Sequence, residues 1–239
     1  MKYVSYRTKG CYDFLMDSSL RIALTTTPEQ FERLRTLQVA FAEVCNAIAP
    51  VVQSTRCWNR VALHHLVYRN LRERFPALGS QMLCNAIYSV SRAARIVYQH
   101  PKSRWNVGKN PGGPLPVLRF RDSAPVYFDR HTLSLKDGVL SMFTLDGRMR
   151  FALRLAPSDE IRFQREKLLE VVLIATTGSY ELTFHFADPE NSKRLQSISA
   201  KGVLPEYVVV FPAESTIEPR PSGAEGPPMH QDVDRPAAP

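Results

Sequence analysis

The chain has 239 residues, 44% of them hydrophobic and 23% charged, which is the profile of a soluble globular protein with enough length for a proper core. No apolar run reaches the roughly 18 residues that a membrane span needs, and the stretch from Met1 to Leu15 has no apolar signal core, so a cytoplasmic protein with no membrane partner is expected. The formal charge of +8 is unevenly spread: residues 213–239 carry five acids against two arginines, a net of −3, which leaves +11 on the rest.

In chain order, the alternation of Leu20, Ile22 and Leu24 with Ser19, Arg21 and Ala23 predicts a half-buried strand. Thr27 and Gln30 then stand at capping-box spacing with Pro28 at the first helical position, and Phe31, Leu34, Leu37, Phe41, Val44, Cys45 and Ile48 follow at helical period. A second helix is expected from Asn59 to Phe75, with Leu63, Val67 and Leu71 inward and His65, Tyr68, Arg69 and Arg72 on the other side; Pro76 ends it. A third carries two stripes. Met82, Leu83, Ala86, Ile87, Val90, Ala93, Ala94 and Val97 form one, and Gln81, Asn85, Tyr88, Arg92, Arg95 and Gln99 lie on the opposite side.

Residues 100–116, rich in Gly, Pro and Asn, read as a long flexible loop. Beyond it the period falls from 3.6 to 2. Short strands are expected in PVLRFR and PVYFD, then a three-stranded meander turning at Asp137-Gly138 and Asp146-Gly147, whose last strand sets Met149, Phe151, Leu153 and Leu155 against Arg148, Arg150, Ala152 and Arg154. A short helix in PSDEIRFQREKLL, a hairpin through Thr177-Gly178 and an edge strand in EYVVVFP complete the order. Residues 213–239, acidic and Pro-rich, are expected to be disordered. The pattern implies an α+β chain: an antiparallel β-barrel whose first strand is separated from the rest by a helical-bundle insertion.

The sequence shows no catalytic motif. The six histidines lack metal-helix spacing, the four cysteines form no C-x-x-C pair, and neither a phosphate-binding loop nor a nucleophile elbow occurs, so no catalytic residue, metal or cofactor is expected. What the residues offer is a binding surface. Arg56 to Arg104 holds nine cations and one acid, interleaved with Trp58, Tyr68, Tyr88, Tyr98 and Trp105, a pattern suited to phosphate contact and base stacking. Arg56, Arg60, His65, Tyr68, Arg69, Arg72, Arg92, Arg95, Lys102, Arg104 and Lys109 are candidate contacts there, with Tyr88 beside them and Arg148 and Arg150 on the meander. Gln81 and Asn85 add amides able to donate to and accept from a base edge.

Three blocks, LTTTPEQFERLRTLQVAFAEVCNAIA, NRVALHHLVYRNLRERFPALGSQMLCNAIYSVSRA and VYFDRHTLSLKDGVLSMFTLDGRMRFALRL, resemble the N-terminal half of the transposon-encoded TnpB proteins and the small type V CRISPR effectors. The resemblance runs from about residue 20 to residue 187. It implies an oligonucleotide-binding-like wedge barrel (1–27 and 105–212), a helical recognition insertion (28–104) and the tail (213–239). It further implies a guide RNA and double-stranded DNA as partners in a prokaryotic, nucleoid-associated setting, with Gln81 reading duplex DNA and Tyr127 to Arg130 close to it. The family's first nuclease carboxylate follows a Gly; here Pro205-Glu206-Tyr207 stands in that place. The chain is therefore expected to bind without cutting. The alternatives are one half of a split nuclease, whose RuvC-like part is a separately encoded subunit, or a truncated transposon remnant.

Overall fold

The computed structural model describes residues 19–187 and 204–212; the expectations for the first residues and for the acidic tail lie outside that range. Strand β1 (Ser19–Leu24) leads into three helices, α1 (Pro28–Thr55), α2 (Arg60–Arg74) and α3 (Ser80–Tyr98). Strands β2 (Val117–Phe120), β3 (Val126–Phe128), β4 (Leu133–Lys136), β5 (Val139–Thr144) and β6 (Gly147–Ala152) follow, then α4 (Pro157–Arg165), β7 (Leu168–Thr176), β8 (Ser179–Phe186) and β9 (Val208–Phe211).

Local chemistry explains most boundaries. Thr27 accepts from the Gln30 amide while the Gln30 side chain accepts from the Thr27 N–H, the reciprocal pair foreseen for α1. Asn59 caps α2 by accepting from Val61 and Ala62 N–H. Asp137 and Gly138 both hold positive φ (51° and 71°), as a two-residue type I′ hairpin between β4 and β5 requires.

The strands form three antiparallel sheets: β1-β8-β7-β3, β2-β9 and β4-β5-β6. None closes into a barrel, which corrects the expected closed architecture while keeping the α+β class and the helices after the first strand. The physical reason lies at the strand edges. Closure needs every strand to pair with a neighbour on both sides, and the edges of β2 and β3 that face the helices are met by side-chain amides instead. Asn46 of α1 donates to Phe120 C=O (2.9 Å) and accepts from Phe120 N–H (2.7 Å), so one amide serves β2 as a neighbouring strand would. Gln38 donates to Ala124 C=O, Gln53 to Leu115 C=O and Asn85 to Tyr127 C=O.

On the four-stranded sheet, Leu20, Ile22, Leu24, Leu182 and Phe184 share a face with Val171, Leu173, Val126 and Phe128 by register. Phe31 of α1 packs on Tyr180, and Phe163 of α4 stands edge-on to Phe184 and Phe186. The core continues without a break into the helices through Leu34, Leu37, Phe41, Leu83 and Tyr98.

Replacing Asn46 by Ala leaves two backbone groups of β2 without partners. The expected loss of stability is about 2–3 kcal/mol, since an orphaned buried polar group costs roughly 1–3 kcal/mol. Asn70→Ala, on the exposed side of α2, should stay within about 0.5 kcal/mol. Urea denaturation of both variants checks this; equal midpoints would sink the edge-pairing role of Asn46.

Candidate nucleic-acid interface

The polar stripe of α3 exists as its spacing implies, but the protein itself covers most of it. Gln81 donates to Asp129 Oδ2 at 2.6 Å. Asn85, only 7% exposed, spends its amide on Tyr127 C=O at 3.0 Å. The Tyr88 ring stands edge-on to Tyr127, and Arg92 reaches Glu170 of β7 at 3.3 Å while lying 5.9 Å above the Tyr127 ring. Only Arg95 and Gln99, in the last turn, are exposed. The expectation of a continuous solvent-facing surface from Gln81 to Gln99 is corrected on this point: helical period says which residues share a face, not what packs against it. Tyr127, 5% exposed, is likewise buried and offers no surface to a ligand.

The junction beneath α3 is electrostatically unusual. Burial pushes the Tyr127 and Tyr88 hydroxyls above their ordinary range, with Arg92 pulling the other way for both. Arg92 stays firmly charged despite its burial, held by Tyr127 and Glu170. His185, paired in register with Glu170, is shifted down, first by burial and then by Arg92 and Arg21; Glu170 opposes the shift. Tyr207, ahead of β9, brings its hydroxyl within 3.4 Å of that of Tyr127. Glu170 and His185 were not singled out in the sequence, and Asp129 and Tyr207 entered only as members of longer stretches, because isolated polar residues in strands give no sign of converging.

Asp129 also orders the turn before β4. Its Oδ1 accepts from His131 N–H, Thr132 N–H and the Thr132 hydroxyl, so Gln81 steadies a turn that displays Arg130 and His131 to solvent. Arg148, exposed beside it, donates to Ser141 and lies 4.4 Å from the centre of the Phe143 ring. Arg150 is exposed on the same face by register. Phe143, 39% exposed, was missed; its alternation with Leu140 and Met142 was the available signal.

A second group of cations gathers where α1 ends, α2 begins and α3 runs into the next loop. Trp58 packs on Tyr98 at 5.3 Å, Ser91 donates to Trp58 C=O, and the buried Tyr98 hydroxyl, pushed up to about 12, donates to Pro116 C=O. Arg56, in left-handed conformation at the end of α1, donates to Pro111 and Gly113 C=O and ties the loop to the helix. Asn106 donates to Gln99 and His100 C=O and accepts from Gly108 N–H. Residues 100–116 form the loop expected there, tied by hydrogen bonds to the ends of α1 and α3. On it Lys102, Arg104 and Lys109 are exposed, with Arg104 4.3 Å above the Trp105 ring.

The α2 candidates divide. Arg60 lies 5.0 Å over the Tyr88 ring, midway along α3. His65 and Arg69 are exposed at positions further along, Arg69 pairing with Glu73 at 3.5 Å. Tyr68 stacks on His64, and Arg72 donates to Leu78 C=O, so both are half-buried and in structural use. Arg60 and Arg72, 12 residues apart, are separated by about 18 Å along the helix. The candidate set is therefore split into a bundle end, an α2 flank and the meander face.

Among the described residues, no group of three or more His, Cys, Asp or Glu is placed to hold a metal ion, and no helix is long and apolar enough to cross a membrane. Compared with protein-family models and with curated proteins, the chain matches none.

Two outcomes are expected from the junction. Arg92→Met should destabilise the fold by about 2 kcal/mol by stranding the partly buried Glu170, and Glu170→Gln should recover part of that loss in the double variant, a coupling readable by chemical denaturation. Because folding depresses His185, the unfolded chain binds its proton first. Stability should thus be full above the unfolded-state value near 6.5 and fall as pH drops below it. His185→Gln should flatten that decline in thermal melts taken across pH 5–8; an unchanged profile would exclude His185 as its source.

Proposed function

We propose that this chain is a non-cleaving nucleic-acid-binding module that holds a structured guide RNA and contacts duplex DNA beside its target. The observation that carries the reading is the group of exposed cations at one end of the helical bundle. Arg95 in the last turn of α3 and Lys102, Arg104 and Lys109 on the loop that follows are exposed, and none forms an ion pair among the described residues. Exposed cations without an ion-pair partner suit the neutralisation of a polyanion. Trp105, half-buried beneath Arg104, adds an aromatic plane within reach of a base or sugar.

The motif-level resemblance supports the choice of RNA and DNA over other polyanions. Exposed Arg130, Arg148 and Arg150 form a separate cationic face at the meander, and the resemblance implies that Arg130 lies close to duplex DNA. Gln81 takes a changed part in the reading. With its N–H₂ group bonded to Asp129, it shapes the turn bearing Arg130 and His131, and only its carbonyl oxygen remains to meet a base.

The test is binding of a structured RNA and of duplex DNA across a salt series. Replacing Lys102, Arg104 and Lys109 together by Ala should lower the slope of log affinity against log salt by about 2–3, uniformly across sequences, and leave the melting temperature unchanged. Gln81→Ala should lower the melting temperature. Wild-type protein that retains neither nucleic acid at about 50 mM salt would overturn the proposal.

A further inference from the structure

The β2-β9 sheet carries a concave site that none of the candidate residues above includes. Register places Val117 opposite Phe211 and Arg119 opposite Val209, so Arg119, Val209 and Phe211 share the outward face, while Leu118, Phe120 and Val208 are buried. Arg121, two residues beyond Arg119, continues that face and is held in line by its N–H bond to Tyr207 C=O. Arg119, Arg121, Asp122, Val209 and Phe211 line an open cavity of about 350 Å³, completed by the buried Phe120 and by Asn46, which bonds the Phe120 backbone.

Three properties define what this cavity accepts. Both guanidiniums are exposed and unpaired among the described residues; the neighbouring Asp122 forms no ion pair with either. Two residues along a strand separate their Cα atoms by about 6.6 Å, a spacing comparable to that of successive phosphates in an extended single strand. Phe211 leaves 48% of its surface in solvent, an apolar plane in a groove whose lining holds two cations against the single acid Asp122. A duplex hides its base faces, so an exposed ring beside two phosphate-spaced cations fits an unpaired strand better than a double helix.

We infer that the β2-β9 groove binds a short single-stranded stretch of nucleic acid, with Arg119 and Arg121 on consecutive phosphates and Phe211 stacked on a base. The site extends the nucleic-acid reading above but is separate from the bundle-end cations that carry it. An unpaired strand is what remains when a duplex is opened or a folded RNA ends, so this groove would hold the strand that the paired partners leave over.

The experiment is fluorescence anisotropy of the full-length chain with a labelled decamer of deoxythymidylate, a probe with no secondary structure. Arg119→Ala with Arg121→Ala should weaken binding at least about 10-fold and reduce the salt slope by about 1.4, two phosphates at about 0.7 each. Phe211→Leu should weaken binding about 5-fold or more at an unchanged salt slope, because stacking is sequence-tolerant and uncharged. All three side chains are exposed, and circular dichroism of each variant confirms that the fold persists. Wild-type affinity in the arginine variant, or a wild-type protein that ignores the decamer, overturns the inference. If only the Lys102, Arg104 and Lys109 variant loses the decamer, the groove is excluded and the proposed function stands. Loss confined to the groove variants supports the groove even if the bundle-end cations prove silent.

Discussion

One stripe of side-chain amides on α1 governs how the molecule is assembled. Gln38, Asn46 and Gln53 fall within about 80° of one another around the helix and meet, in reverse order, the backbone of Leu115, Phe120 and Ala124. The next turns N-terminal to them continue the pattern: Arg33 donates to Thr144 and to Asp146 C=O, and Gln30 to Arg150 C=O. A single helix therefore touches the β2-β9 sheet, the approach to β3 and the β5-β6 turn through polar contacts. Gln38 also accepts from the Tyr180 hydroxyl, adding β8 to the list. Buried strand edges demand partners for every N–H and C=O, and α1 supplies them where no strand does.

This arrangement decides what α3 can do. Once α1 holds the segment 115–124, the chain runs directly beneath α3, and the carbonyl of Tyr127 needs a donor that only Asn85 is placed to give. Arg92 is drawn the same way by Glu170, whose carboxylate would otherwise sit half-buried without a counter-charge. The orderly polar face of the helix is thus spent on internal cohesion. Its residue types resemble those of a nucleic-acid surface because both tasks require the same chemistry: amides for backbone-like partners, guanidinium for anions, and aromatic planes for packing.

The cations at the end of α3 and on the loop beyond it form no ion pair among the described residues. They lie at the end of the bundle because Arg56 ties the 100–116 loop to α1, and because the loop is braced by Asn106, Ser103 and His100 rather than by acids. Positive charge held on an ordered frame is better suited to phosphate than the same charge on a mobile segment, since less side-chain and loop freedom is lost on binding. The β2-β9 groove follows the same logic on a smaller scale, with two arginines fixed by strand geometry.

Much of this was legible in the residues alone. The capping box at Thr27 and Gln30, the Asp137-Gly138 turn and the alternation in the meander are local signals, fixed within a few residues by dihedral preference and hydrogen-bond reach, and each element formed where its signal stood. The sequence likewise determined that cations dominate residues 56–104 and that α3 has two unlike faces. Only the tertiary structure decided which of those polar groups are internal partners and which face water. Asn85 and Arg95 lie on the same stripe of one helix, yet the first is buried against a carbonyl 42 residues away and the second is exposed. That difference depends on where a distant strand edge happens to run, and helical periodicity carries no information about distant edges.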